Sequence, residues 1–135
     1  MSVRKKRSAR LTFCQAVLAL QSLAALFATL VLWGLDRAGE VSLPGGVLWG
    51  GGLGMVVLLA YAAGQQAKRW GLALGWALQV PMLLGGFIEP DIAVIGACFL
   101  LTWLAGVRLG GRIDRERAAH DAALEAEAAG AGEPA

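Results

Sequence analysis

The chain has 135 residues, 57% of them hydrophobic and 16% charged. That balance is too apolar and too poor in charge for a typical small soluble domain, and it names lipid as the solvent. The net charge of +2 says little, because the positions of the cations, not their sum, set how such a chain sits in a bilayer.

The chain opens on a basic segment, with Arg4, Lys5, Lys6, Arg7 and Arg10 ahead of an apolar run from Leu11 to Gly34. About 20 such residues cross a hydrocarbon core of roughly 30 Å, so this run predicts the first span, over 11–34. It exceeds the usual signal-peptide core of about 7 to 15 residues, and no convincing small-residue cleavage site follows it. A transmembrane helix is therefore the expectation. Within it Cys14, Gln21, Ala24, Ala25 and Ala28 share a stripe, which puts the Gln21 amide on a small-residue face suited to a close neighbour.

The second span is predicted over 46–64. Gly46, Gly50 and Gly54 recur there at every fourth residue, the spacing of a glycine zipper that lets helix backbones approach closely. Packing inside the molecule is the expected use, and a seam between copies is the alternative. A short loop with Lys68 and Arg69 leads to the third span, over 70–88, which repeats the spacing at Gly71 and Gly75 and carries Gln79 near its middle. Pro81 has no N–H to donate to the Ala77 carbonyl, so that acceptor needs another partner, and a nearby amide such as Gln79 is expected to serve. The fourth span is predicted over 92–109, with Gly106 and Gly110 near its end.

The tail, 110–135, reads as a short cytoplasmic helix. Arg112 and Glu116, and Arg117 and Asp121, are placed four apart, as in exposed helices with intrahelical ion pairs. From about Gly130 the composition predicts disorder. The fold class expected is thus all-α, a four-helix transmembrane bundle forming one integral membrane domain.

Sidedness of charge gives the orientation. Eleven of the 12 Lys and Arg residues fall in the amino-terminal segment, the loop after span two and the tail, while Arg37 alone falls on the other side. Positive-inside sorting then puts both termini in the cytoplasm, with the plasma membrane as the host. Trp33 and Trp49 lie near the outer ends of spans one and two, and Tyr61 and Trp70 near the inner interface, as aromatic belts do. Arg4, Lys5, Lys6, Arg7, Lys68 and Arg69 are expected to contact anionic lipid headgroups, and next to a span this is the better reading of the basic run than nucleic-acid binding.

Chemistry is sparse. Two cysteines without paired spacing and one histidine do not make a common zinc pattern, and no cluster of nucleophile, base and charge-stabilising groups appears. No enzyme activity and no cofactor are expected. Cys14 and Cys98 belong to different depths and are not expected to pair. Gln21 and Gln79 are the polar groups at which a function or a packing bond would reside; an amide cannot carry a proton, so neither drives proton-coupled transport alone. Trp76 and Trp103 are expected to fill helix contacts or face lipid.

Four stretches stand out: Gly75-Trp76-Ala77-Leu78-Gln79-Val80, Gly86-Phe87 with Pro90, Gly96 with Phe99 and Trp103, and Gly111-Arg112-Ile113-Asp114-Arg115-Glu116-Arg117. In these the chain resembles a family of small, uncharacterised actinobacterial membrane proteins often encoded beside folylpolyglutamate synthase. The resemblance covers about residues 8–120 and implies no activity. Its members often have glutamate at the position of Gln21, a departure that favours packing over a carboxylate role here. The expected role is a structural or accessory subunit partnered by the bilayer and by a membrane protein or a second copy; the alternative is a small oligomeric transporter or channel.

Overall fold

The structure, a computed structural model, describes residues 7–132. Those residues form four helices: α1 (Ala9–Ala38), α2 (Gly45–Gly64), α3 (Arg69–Leu84) with a 3-10 turn at Gly85–Phe87, and α4 (Pro90–Ala131). All four are long and apolar enough to cross a membrane, and no strand occurs among the described residues. Arg4, Lys5 and Lys6, expected to meet lipid headgroups, lie outside the described residues, as does the end of the tail, 133–135.

Local chemistry sets the helix ends. Ser8 caps α1, its Oγ accepting from the Leu11 N–H at 3.3 Å. Gly39 ends α1 at φ 77°, a left-handed conformation in which a side chain would be strained. Pro44 precedes α2 and Pro90 opens α4, positions where the missing N–H costs no helical bond. Asp36 Oδ1 accepts from the Leu43 N–H at 3.1 Å and holds the α1–α2 loop closed. In the next turn Gln66 Nε2 donates to the Ala62 and Gly71 carbonyls at 3.0 and 2.8 Å, tying the end of α2 to the start of α3.

The helices run up and down. Helix α1 packs along α2 and α4, while α3 completes the ring against the same two, so α1 and α3 are the diagonal pair. Each helix turns one stripe inward: Cys14, Val17, Leu18, Gln21, Ser22 and Ala25 on α1, Leu59 and Ala62 on α2, Leu78, Gln79 and Met82 on α3, and Trp103 on α4. Outward-facing residues such as Leu20, Phe27, Val57, Val94 and Leu101 are large, apolar and exposed, which is stable only with lipid around the bundle. Trp33 and Trp49 pair at one end with ring centroids 6.2 Å apart, and Tyr61 and Trp70 at the other, also 6.2 Å apart. The bundle thus carries an aromatic pair at each membrane boundary.

Two features differ from the sequence reading. The charged tail is helical, but it is the same helix as span four: α4 runs for 42 residues, through Gly110 and Gly111 and on past Gly130. Flexible residues do not break a helix when packing or intrahelical bonds carry the chain past them. The second difference is the glycine zipper. A Cβ placed on Gly46, Gly50 or Gly54 would meet nothing within 4 Å, so these glycines pack against no other helix within the molecule. The close approach in α2 is made instead by Gly52, where a Cβ would collide with the Thr29 side chain of α1. Gly52 is two residues from Gly50 and Gly54, about 200° round the helix, so if one face points in the other points out.

Candidate functional site

Deep in the bundle, Gln21 and Gln79 face each other across the α1–α3 diagonal. Their relative exposures are 0% and 2%. Gln21 Nε2 donates to Gln79 Oε1 and Gln79 Nε2 donates to Gln21 Oε1, each at 3.1 Å. The pair is therefore a closed, reciprocal amide ring. In a medium without water an unpaired amide is costly, and interhelical bonds of this kind contribute about 0.6 to 2 kcal/mol per contact. The ring consumes one donor and one acceptor of each amide in the other, and both groups stay neutral at any physiological pH.

The neighbours of the ring explain why the helices meet here. Gly75, one turn from Gln79 on the same face of α3, accepts the edge of the Trp103 indole, which a Cβ would displace. Trp103 is fully buried and meets Trp76 edge to face, with centroids 6.4 Å apart, while Trp76 itself is exposed toward lipid. The Trp103 Nε1 has no partner among the described residues. Ser22 Oγ donates to the Val56 carbonyl at 2.9 Å and links α1 to α2 beside the ring.

Pro81 does not join this site. The bonds formed by the Gln79 amide go to Gln21, not to the Ala77 carbonyl. Ala77 and Pro81 are both exposed, whereas Gln79 is buried. Residues two apart on a helix point about 200° from each other, so an amide at 79 that faces the core cannot cover a carbonyl shared by 77 and 81 on the lipid side.

A second polar constellation, which the sequence did not disclose, closes the basic end of the bundle. The Asp114 carboxylate, on the part of α4 beyond the membrane, accepts from the Ser8 Oγ–H, from the Ala9 N–H at 2.6 Å and from the Arg10 N–H at 3.2 Å. Those N–H groups belong to the first turn of α1, which no residue of its own helix can satisfy. A carboxylate there also meets the positive end of the helix dipole. The Ser8 hydrogen bond above all holds the Asp114 carboxyl below its ordinary value; desolvation opposes it, and the two backbone bonds and the nearby Arg117 charge add to the lowering. Gly110, one turn back on α4, makes the contact possible: a Cβ there would strike the Arg10 backbone. Ser8 could be read as a helix cap from its place before an apolar run. Its partner more than a hundred residues away could not.

The remaining cations are spread at this end. Arg7, Lys68 and Arg69 are exposed, Lys68 Nζ lies 5.5 Å from the centroid of the Trp70 ring, and Arg112 binds Glu116 at 2.8 Å one turn along. At the opposite end Arg37 stacks 5.9 Å from the Trp33 centroid. Cys14 and Cys98 are both free thiols, one buried and the other exposed. Among the described residues no group of His, Cys, Asp or Glu is arranged to hold a metal ion.

Comparison with curated proteins and with solved structures finds no match. A family model described as a protein of unknown function, DUF4233, matches residues 12–119. That stretch takes in all four spans, both members of the amide ring and Asp114, and the chain belongs to the DUF4233 family.

Proposed function

We propose that the protein is a non-enzymatic, multi-pass subunit of the plasma membrane that holds out a rigid helical arm to a cytoplasmic partner. The observation that carries this reading is the continuity of α4. From Arg115 to Gly132 every residue is exposed, yet the segment continues span four as one helix and is fixed at its base by Asp114 to the start of α1. At 1.5 Å per residue such an arm reaches about 25 Å beyond that base. The mutual satisfaction of Gln21 and Gln79 supports a packing role for these two buried amides. Cytoplasmic placement of the arm is supported by the cation bias at its end of the bundle.

The open face of Gly46, Gly50 and Gly54 favours a second reading, a small oligomeric transporter or channel with this face as the seam between copies. One experiment separates the two. The full chain is purified from native membranes in mild detergent beside a variant with Ala119, Ala122, Ala123 and Ala126 changed to Glu, and the masses are determined. A foreign protein retained by the parent and lost from the variant supports the subunit reading, and a homo-oligomer of unchanged mass in both supports the alternative. Orientation is tested with an impermeant thiol reagent on intact cells: Ser42→Cys should react and Ala126→Cys should not.

A further inference from the structure

The start of α1, the α2–α3 turn and the first turn of α3 line a half-open hollow of about 370 Å³ at the basic end of the bundle. Arg10 lines it from α1, Lys68 from the turn and Arg69 from the start of α3, with Ser8 beside them. None of the three cations makes an ion pair among the described residues; the recorded ion pair lies further along α4, between Arg112 and Glu116. Asp114 is held by Ser8 and the α1 backbone and does not line the cavity. Three cationic residues line one hollow, Lys68 also reaching over the Trp70 ring, and an anion placed among them relieves the repulsion of like charges gathered there.

We infer that this cavity binds the phosphate of an anionic lipid headgroup, with Arg10, Lys68 and Arg69 as its ligands. Depth identifies the source of the phosphate. Tyr61 and Trp70, the aromatic pair at this boundary, place the hollow at headgroup level, and Leu11 and Leu72 give it an apolar wall toward the core on which the glycerol and first acyl carbons can lie. Basic pockets between helices at a membrane surface select anionic headgroups in this way, with arginine offering a forked donor set to the phosphate oxygens. The site needs neither a partner protein nor the arm, so it stands or falls apart from the subunit reading.

The test uses the full chain in mild detergent, titrated with phosphatidylglycerol, with phosphatidylcholine and with inorganic phosphate, and reads bound lipid by native mass spectrometry and stability by thermal unfolding. Lys68→Gln with Arg69→Gln is compared with Arg108→Gln plus Arg115→Gln, which removes the same charge elsewhere on the same end. All four positions are exposed, and unfolding in phosphatidylcholine reports whether each variant is folded. Phosphatidylglycerol should remain bound to the parent and the control and raise their unfolding temperature, while the Lys68/Arg69 variant binds it about tenfold more weakly or worse, as expected for losing charge-assisted bonds. Equal binding by both variants would reduce the effect to general surface charge and overturn the site. Equal protection by inorganic phosphate would overturn a lipid as its occupant.

Discussion

Two sets of glycines with the same spacing meet opposite surroundings. On α2, Gly46, Gly50 and Gly54 have open space where a side chain would go; on α3 and α4, Gly75 and Gly110 are pressed against Trp103 and Arg10. Spacing shows that residues share a face, and it does not show which way the face points. Gly75 and Gly110 each stand one turn before a polar group that bonds to α1, Gln79 in the first case and Asp114 in the second. There the missing side chain lets a backbone come close enough for the next polar group on the stripe to reach its partner. No such group follows Gly46, Gly50 or Gly54 at the same interval, where Gly50, Gly54 and Leu58 stand instead.

The contrast is broken most severely at Gly75. Gly75→Leu forces the Trp103 indole out of a fully packed site and should destabilise the bundle by up to about 3 kcal/mol, measured by reversible unfolding in detergent. Retention of parental stability there would mean that Trp103 is not seated on α3. The amide ring comes next. Gln21→Leu and Gln79→Leu should show a coupling of about 0.6 to 2 kcal/mol in a double-mutant cycle, since each single change strands the other amide in a dry core. Additive losses would contradict the reciprocal bonds.

The seam at Gly110 is tested through Asp114. Because its carboxyl titrates below the ordinary value, the contribution of the cap is fully present above an unfolded pKa of about 4 and is lost as pH falls through the lower folded value. Asp114→Asn should therefore lower the unfolding temperature at neutral pH, by less than the core changes do, and flatten the decline seen in the parent below about pH 4. An unchanged decline would assign the acid sensitivity to other carboxylates. The smallest effect belongs to the open face: Gly50→Leu should leave the isolated bundle unchanged or more stable by up to about 1 kcal/mol, from helix propensity alone. A large loss would show that this face is covered in the protein as purified, as a seam between copies requires.

Much of the fold was legible because the bilayer reduces the problem to length and charge placement. Four apolar runs of spanning length and one-sided cations lead directly to four helices running up and down. The inward placement of Gln21 and Gln79 was also legible, since mid-span amides must face protein, whereas their bond to each other was not, Gln79 being expected at the Ala77 carbonyl. What was not legible depended on helix rotation or on contacts distant in sequence. The inward face of α2 is set by Leu59, Ala62 and Gly52, but every face of that helix is apolar, so hydrophobicity cannot choose among them. Gln79 could have been separated from Pro81 by angle alone, as residues two apart face opposite ways. The Asp114 cap joins two ends of the chain, and its carboxylate sits among arginines that give it nearer apparent partners in sequence.

The central claim is that span four and the charged arm are one helix, fixed at its base. Spin labels on Ala105→Cys and Ala126→Cys, in a background with Cys14 and Cys98 replaced by alanine, measure this directly by pulsed electron resonance. A continuous helix predicts a narrow distribution of backbone separations centred at about 32 Å. A broad distribution, or one centred well below that value, would place a hinge at Gly110–Gly111 and contradict the rigid arm.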